Sequence, residues 1–169
     1  MRFCPTISSA VPGRYRILSL FLLVCIKEIF ERGRAYKFPR PEHCLKEGCG
    51  SIRVWGHGYV GVWFYGYESP VYLKRYRCAD CCCVYTIRPA DCWPQHRTPI
   101  MIIMNRISHR LREGVWDRSK GLTRQAQGGW LKALKKNIKV YLGMDFTGGL
   151  MEGFHELISS GRIPVQRTG

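Results

Sequence analysis

"CLKEGCGSIRVWGHG", residues 44–58, sets two cysteines with four residues between them at the head of a short strand-like run. A second pair, Cys78 and Cys81 in "RCADC", follows after 28 intervening residues that also look like strands. Tetrahedral zinc takes four soft donors at about 2.3 Å, and a tight turn at each knuckle lets two thiolates of one segment reach the same ion. Gly50, directly after the second thiol, suits such a turn because glycine accepts positive φ. Cys82 stands in the equivalent place after Cys81. Two knuckles on adjoining hairpins predict a zinc ribbon, with Cys44, Cys49, Cys78 and Cys81 holding one structural Zn2+ per chain. Spacing alone leaves His43 or His57 open as a substitute for one thiol, and Cys82 or Cys83 open in place of Cys81.

The remaining thiols carry less. Cys92 and His96 in "CWPQH" are half of a site with no second half, and a structural role suits them better. Cys25 reads as a buried small hydrophobe. A nucleophilic cysteine needs a base and an orienting group, and a redox Cys-x-x-Cys sits at the start of a helix. Cys78 instead follows the strand-like "VYLKRYR". Four thiolates leave no open coordination position, so the expected metal is structural rather than hydrolytic.

Nine cysteines are an odd number, and the run Cys81, Cys82, Cys83 makes complete pairwise bridging impossible. A reducing compartment, the cytoplasm, fits better than export. The one feature favouring export is "ILSLFLLVCI", residues 17–26, but "KEIFERG" follows where a small-residue cleavage site belongs. Ten apolar residues also fall short of the roughly 20 that span a bilayer. The stretch is predicted to be a buried or partner-facing helix over about 14–32, stopping at Gly33.

From these pieces the chain reads as α+β in four segments. Residues 1–37 hold an N-terminal apolar helix and linker. Residues 38–97 hold the small β zinc ribbon, with "SIRVW", "YVGVWFYGY" and "VYLKRYR" as strands. Residues 98–142 form a basic helical, helix-turn-helix-like module, and 143–169 a Gly-rich tail in which "LMEGFHELI" hints at a short helix. In the third segment Thr98 and Pro99 suit a helix start, and Ile100, Ile103, Met104, Ile107 and Leu111 make one apolar face before Gly114. A second helix starts at Thr123, with Ala126, Trp130, Ala133, Leu134, Asn137, Ile138 and Tyr141 on its apolar periodicity.

The charge points to an anionic partner. Twenty-seven Lys and Arg against 12 Asp and Glu give +15, and residues 99–142 carry +8 of it. A DNA-reading helix needs a cap, an apolar docking face and Arg, Gln or Lys on the other face. Arg124, Gln125, Gln127, Lys132, Lys135 and Lys136 are the candidates there, with Arg75 and Arg77 of the ribbon touching DNA as well. The plainer reading of the same residues is a solvated basic face on a helical hairpin. Two features oppose a DNA-reading helix: the Gly128, Gly129 pair costs roughly 2 kcal/mol relative to alanines, and "VWDRSKG" is barely long enough for a middle helix. Asp145, Glu152 and Glu156, the only acids after the helices, read as solvated positions.

"PRPEHCLKEGCGSIRVWGHGYV", "YLKRYRCADCCCVYTIRP" and "RQAQGGWLKALKKN" together resemble a group of bacterial zinc-ribbon proteins associated with transposases and insertion elements. The resemblance covers roughly residues 38–142. It implies a Cys-knuckle ribbon ahead of a helix-turn-helix, with Cys44, Cys49, Cys78 and Cys81 as ligands and Thr123 to Asn137 as recognition helix. The longer first knuckle, Cys82 in place of glycine and the Gly128, Gly129 pair depart from the group's pattern. It further implies a bacterial cytoplasmic protein that binds double-stranded DNA as an accessory, a regulator or an N-terminal part of a transposase, partnered by a transposase subunit or by itself. The chain has no room for a three-carboxylate catalytic core, so no enzymatic activity is expected. A competing reading is a protein-interaction adaptor presenting the apolar helix and the aromatic hairpin. A third is RNA stacking on Trp55, Tyr59, Trp63 and Tyr65, which requires exposed rings.

Overall fold

The computed structural model describes residues 4–6, 17–94, 96–118 and 121–166. The chain divides into two compact units, Met1–Pro99 and Ile100–Gly169.

The first unit is built on a mixed sheet. Its strands are β1 (Cys4–Thr6), β2 (Ile17–Leu22), β3 (Val54–Val62), β4 (Val71–Cys78) and β5 (Val84–Pro89), in the order β1-β2-β5-β4-β3. The short β1 lies antiparallel on the β2 edge, β2 and β5 run parallel, and β5, β4 and β3 are antiparallel neighbours. The expected N-terminal apolar helix is therefore wrong. Ile17–Leu22 is a strand, and the helix α1 begins only at Ile26 and ends at Arg32. A short apolar run carries no periodicity that separates a buried strand from a buried helix. Parallel pairing with β5 decides the matter, burying Leu20 and Leu22 beside Tyr85 and Ile87. Cys25 stands at the N-cap of α1 and is exposed, not buried as expected. Its side chain makes no cap, and Asp91 Oδ2 instead accepts from the Ile26 N–H at 3.1 Å.

β4 explains why the sheet is covered on both faces. Successive strand residues point to opposite faces, yet its buried residues are Val71 and Leu73, then Tyr76 and Cys78. The burial switches parity midway. Val71 and Leu73 pack with Ile26, Ile29, Phe64 and Cys92, whereas Tyr76 and Cys78 pack with Leu20, Leu22, Cys44, Val54, Tyr85 and Ile87. The strands expected in the ribbon segment thus join β2 in one larger sheet, and the free-standing small ribbon is corrected accordingly.

The second unit contains α2 (Ile100–Glu113), α3 (Arg124–Tyr141) and α4 (Leu150–Ser159). Ile103 and Ile107 are the buried turn of α2, which stops before Gly114 at φ 71°. Thr123 caps α3, its Oγ1 accepting from the Ala126 N–H at 3.1 Å. The helix-turn-helix expectation fails at its centre, because residues 114–118 form no helix. That loop is tied down by side chains: Arg106 pairs with Asp117, and the Arg110 guanidinium lies 5.1 Å from the Trp116 ring centre. Nor is 143–166 a simple tail. Gly153 of α4 is buried where a β-carbon would collide with Ile138 of α3, and Asn137 Nδ2 donates to the carbonyls of Pro164 (2.8 Å) and Gln166 (3.0 Å). No helix among the described residues is long and apolar enough to cross a membrane.

Candidate metal centre

Two loops carry the four thiols to one end of the sheet. In the first, the Cys49 N–H donates to the Lys46 carbonyl at 3.0 Å and the Cys44 N–H to the Ser51 carbonyl at 2.6 Å, closing the Cys44–Ser51 loop. In the second, the Cys78 N–H donates to the Cys83 carbonyl at 3.0 Å. The residue after the last thiol of each loop has the same left-handed φ of 58°, Gly50 in one and Cys82 in the other. Among the described residues Cys82 is the only non-glycine in that region. A β-carbon there costs about 1 kcal/mol or more, so Cys82→Gly is expected to raise stability by up to about 1 kcal/mol in urea unfolding while leaving metal content unchanged.

The loops are also braced against each other. Asp80, between Cys78 and Cys81, accepts from the Ser51 hydroxyl and from Arg53 Nη1 at 2.9 Å. The Ala79 N–H reaches the Arg53 carbonyl at 2.8 Å.

The sulfurs of Cys44, Cys49, Cys78 and Cys81 all lie within 4.8 Å of one another. Cys44 and Cys81 are 3.5 Å apart, and Cys49 and Cys78 3.8 Å. A tetrahedron with metal–sulfur bonds of about 2.3 Å has sulfur–sulfur edges of about 3.8 Å. The four residues therefore fit a single metal ion with thiolate ligands. Without a cation, four crowded thiols cannot all ionise. Burial raises the Cys78 thiol, but the N–H groups of Cys81 and Asp80 and the Cys81 and Cys44 sulfurs outweigh it and bring it down to about 7. Burial drives Cys81 up to about 12, and the neighbouring sulfurs add to the rise. A divalent cation would remove this conflict by drawing charge from every sulfur.

The alternatives open on spacing lie outside this cluster. His43 and His57 are exposed. Cys83 is buried in the core and Cys82 occupies the turn. Cys92 packs in the second hydrophobic cluster, and the His96 ring meets Trp93 edge-on at 5.7 Å.

Tyr85 is the site residue that sequence reading missed. It is fully buried on β5, its Oη accepts from the Lys46 N–H at 3.1 Å and lies 2.6 Å from Cys44 Sγ. Burial, then the sulfurs of Cys44 and Cys83, push the phenol well above its ordinary range, so its hydroxyl keeps a proton to offer the Cys44 sulfur. The alternation in "CCVYTI" places Tyr85 on the face of Cys83 and Ile87, the only hint available in the sequence. Partners of metal ligands typically contribute 10- to 100-fold in affinity. Tyr85→Phe is therefore expected to weaken metal binding about tenfold in chelator competition, with the chain still folded.

The expected DNA-binding residues divide. Arg124, Gln125, Lys132, Lys135 and Lys136 are exposed on α3. Gln127 is not: it is 1% exposed, and its Nε2 donates to the Asp117 carbonyl at 3.0 Å and the Leu122 carbonyl at 3.4 Å. It is an anchor for the α2–α3 loop. At 100° per residue, Arg124, Gln125, Lys132, Lys135, Lys136 and the unforeseen Lys139 share an arc of about 120°. Helix α3 holds no acidic residue. Gly128 lies within the same arc, with open space where a β-carbon would stand. Arg75 and Arg77 are half-buried on β4, opposite Thr86 of β5, and opposite Trp55 of β3 and Val84 of β5, respectively.

Comparison of the chain with protein-family models, with curated proteins and with solved structures found no match.

Proposed function

We propose that this chain is a non-enzymatic DNA-binding protein, folded around one structural zinc ion on Cys44, Cys49, Cys78 and Cys81, that grips duplex DNA with the basic face of α3. The observation that carries the reading is the acid-free arc of Arg124, Lys132, Lys135, Lys136 and Lys139 along a helix about 27 Å long. Such a row offers Arg and Lys side chains to phosphate oxygens, and the bare Gly128 in its midst leaves room for the sugar-phosphate backbone to approach. Zinc suits the metal centre because thiolate donors at tetrahedral spacing favour it. A closed Cys4 set offers no position for substrate. Glu152 is occupied in capping α4, its carboxylate accepting from the Gly149 N–H at 2.9 Å.

The resemblance to insertion-element proteins extends the proposal to a mobile-element setting, with a transposase subunit or a second copy as protein partner. The adaptor reading loses its main support, since Leu20, Leu22, Ile26 and Ile29 are used up in the core of the first unit.

Fluorescence anisotropy with a labelled 20-base-pair duplex tests the proposal. Binding should fall steeply with salt, with log K declining by about 0.9 per phosphate neutralised. Arg124→Glu, Lys132→Glu, Lys135→Glu should lower affinity at least 100-fold at 100 mM salt. Equal binding by the triple variant would overturn the assignment of α3.

A further inference from the structure

A second surface, in the first unit, has a different chemistry. Strands β3 and β4 contain no acidic residue, and β3 is the edge strand of the sheet. Trp55, on this edge, is 55% exposed although tryptophan ordinarily hides most of its ring. The Arg40 guanidinium lies 5.0 Å from the ring centre, and Arg77 is its cross-strand partner on β4. Beyond the register shift between Gly56 and Tyr59 a similar pairing occurs on the opposite face of the sheet, since Lys74 and Arg77 are three residues apart on β4. Tyr59 lies opposite Lys74, whose Nζ is 4.4 Å from the ring centre, and Arg34 sits 6.0 Å away.

We infer that this edge binds single-stranded nucleic acid, with Trp55 as the stacking platform for one unpaired base and Arg40 and Arg77 on the flanking phosphates. Three observations select this occupant. An exposed indole supplies a flat apolar surface that every base can use. Arg40 and Arg77 beside the indole supply charge for the backbone of that nucleotide. The absence of carboxylates on both strands favours a polyanion over a basic peptide. A duplex is a poor match, because its bases are already stacked and present only edges. This inference stands on the sheet and not on α3, so it survives if the duplex-binding proposal fails.

The test measures anisotropy of a labelled 12-mer of deoxythymidylate, and of an abasic 12-mer, on four chains: the intact protein, Trp55→Ala, Trp55→Phe, and the α3 triple charge reversal. Trp55 is exposed, so its replacement should leave folding and metal content unchanged. Trp55→Ala should weaken deoxythymidylate binding roughly 10- to 100-fold, Trp55→Phe should recover much of that loss, and the loss should persist in high salt. The abasic strand should bind the intact protein as weakly as deoxythymidylate binds Trp55→Ala, and should be insensitive to that substitution. The α3 reversal should keep the Trp55-dependent difference. A 12-mer of uridylate separates the sources: tighter binding than deoxythymidylate marks RNA, and equal or weaker binding marks single-stranded DNA. Equal affinity of the intact protein and Trp55→Ala for deoxythymidylate, or an equal Trp55→Ala loss on the abasic strand, would overturn the inference.

Discussion

Replacing Cys78 and Cys81 together by serine should unfold the first unit. Cys44 and Cys78 are 2% and 0% exposed and belong to the same core as Leu20, Leu22, Tyr76, Tyr85 and Ile87, so the candidate metal site is continuous with the core of the sheet. Structural zinc contributes on the order of 10–16 kcal/mol in small domains, against a total stability of about 5–15 kcal/mol for a typical domain. Under the proposed zinc centre, its loss would exceed what a sheet of this size has in reserve. Serine also leaves poor ligands beside the Cys44 and Cys49 thiols. The expected outcome in a heteronuclear NMR spectrum is collapse of the dispersed amide signals of residues 17–99, while signals from α2, α3 and α4, which bury their own Ile103, Ile107, Leu134, Phe154 and Leu157, remain. A fully dispersed spectrum from the double variant would contradict this account of the fold.

The second large effect is expected at Asn137. Its side chain is 1% exposed, and its amide reaches the carbonyls of Ile163, Pro164 and Gln166 at 3.4, 2.8 and 3.0 Å. A side-chain amide has two hydrogens, so three carbonyls share them. Asn137→Leu conserves volume but strips the donors from these carbonyls. Each buried acceptor left unpaired costs about 1–3 kcal/mol, and part of the cost is recovered where the segment turns toward water. A loss of about 2–3 kcal/mol in urea unfolding is expected, with earlier proteolytic cleavage between residues 160 and 166. Asn137→Asp should be worse, because a carboxylate would face carbonyl oxygens. Lys135→Ala, two residues away on the exposed face, should stay within about 0.5 kcal/mol.

These sites differ in how legible they were. The Cys framework was readable because metal geometry dictates spacing, and the four proposed thiols are the four that converge. Thr123 as a cap and Gly114 as a stop were readable because capping is local chemistry. Residues 17–22 were misread because a six-residue apolar run is ambiguous until its neighbour β5 is known. Gln127 was assigned to DNA on its polarity, and Asn137 to an apolar face on its period. Both are buried amides that tie loops to α3, a role set by carbonyls five to 29 residues distant in sequence. The Gly128, Gly129 pair did not break α3 either: the helix runs unbroken for 18 residues, because tertiary packing of Leu134 and Ile138 outweighs intrinsic propensity. Tyr85 was missed because, beyond the alternation in "CCVYTI", no spacing rule marks the hydrogen-bond donor behind a ligand.

Native mass spectrometry of the full chain, purified without added metal, tests the central claim most directly. One zinc ion per chain is expected, released by acid, with Cys44, Cys49, Cys78 and Cys81 protected from alkylation until the metal leaves. A folded chain carrying no metal, with these four thiols alkylated as fast as the exposed Cys25, would contradict it.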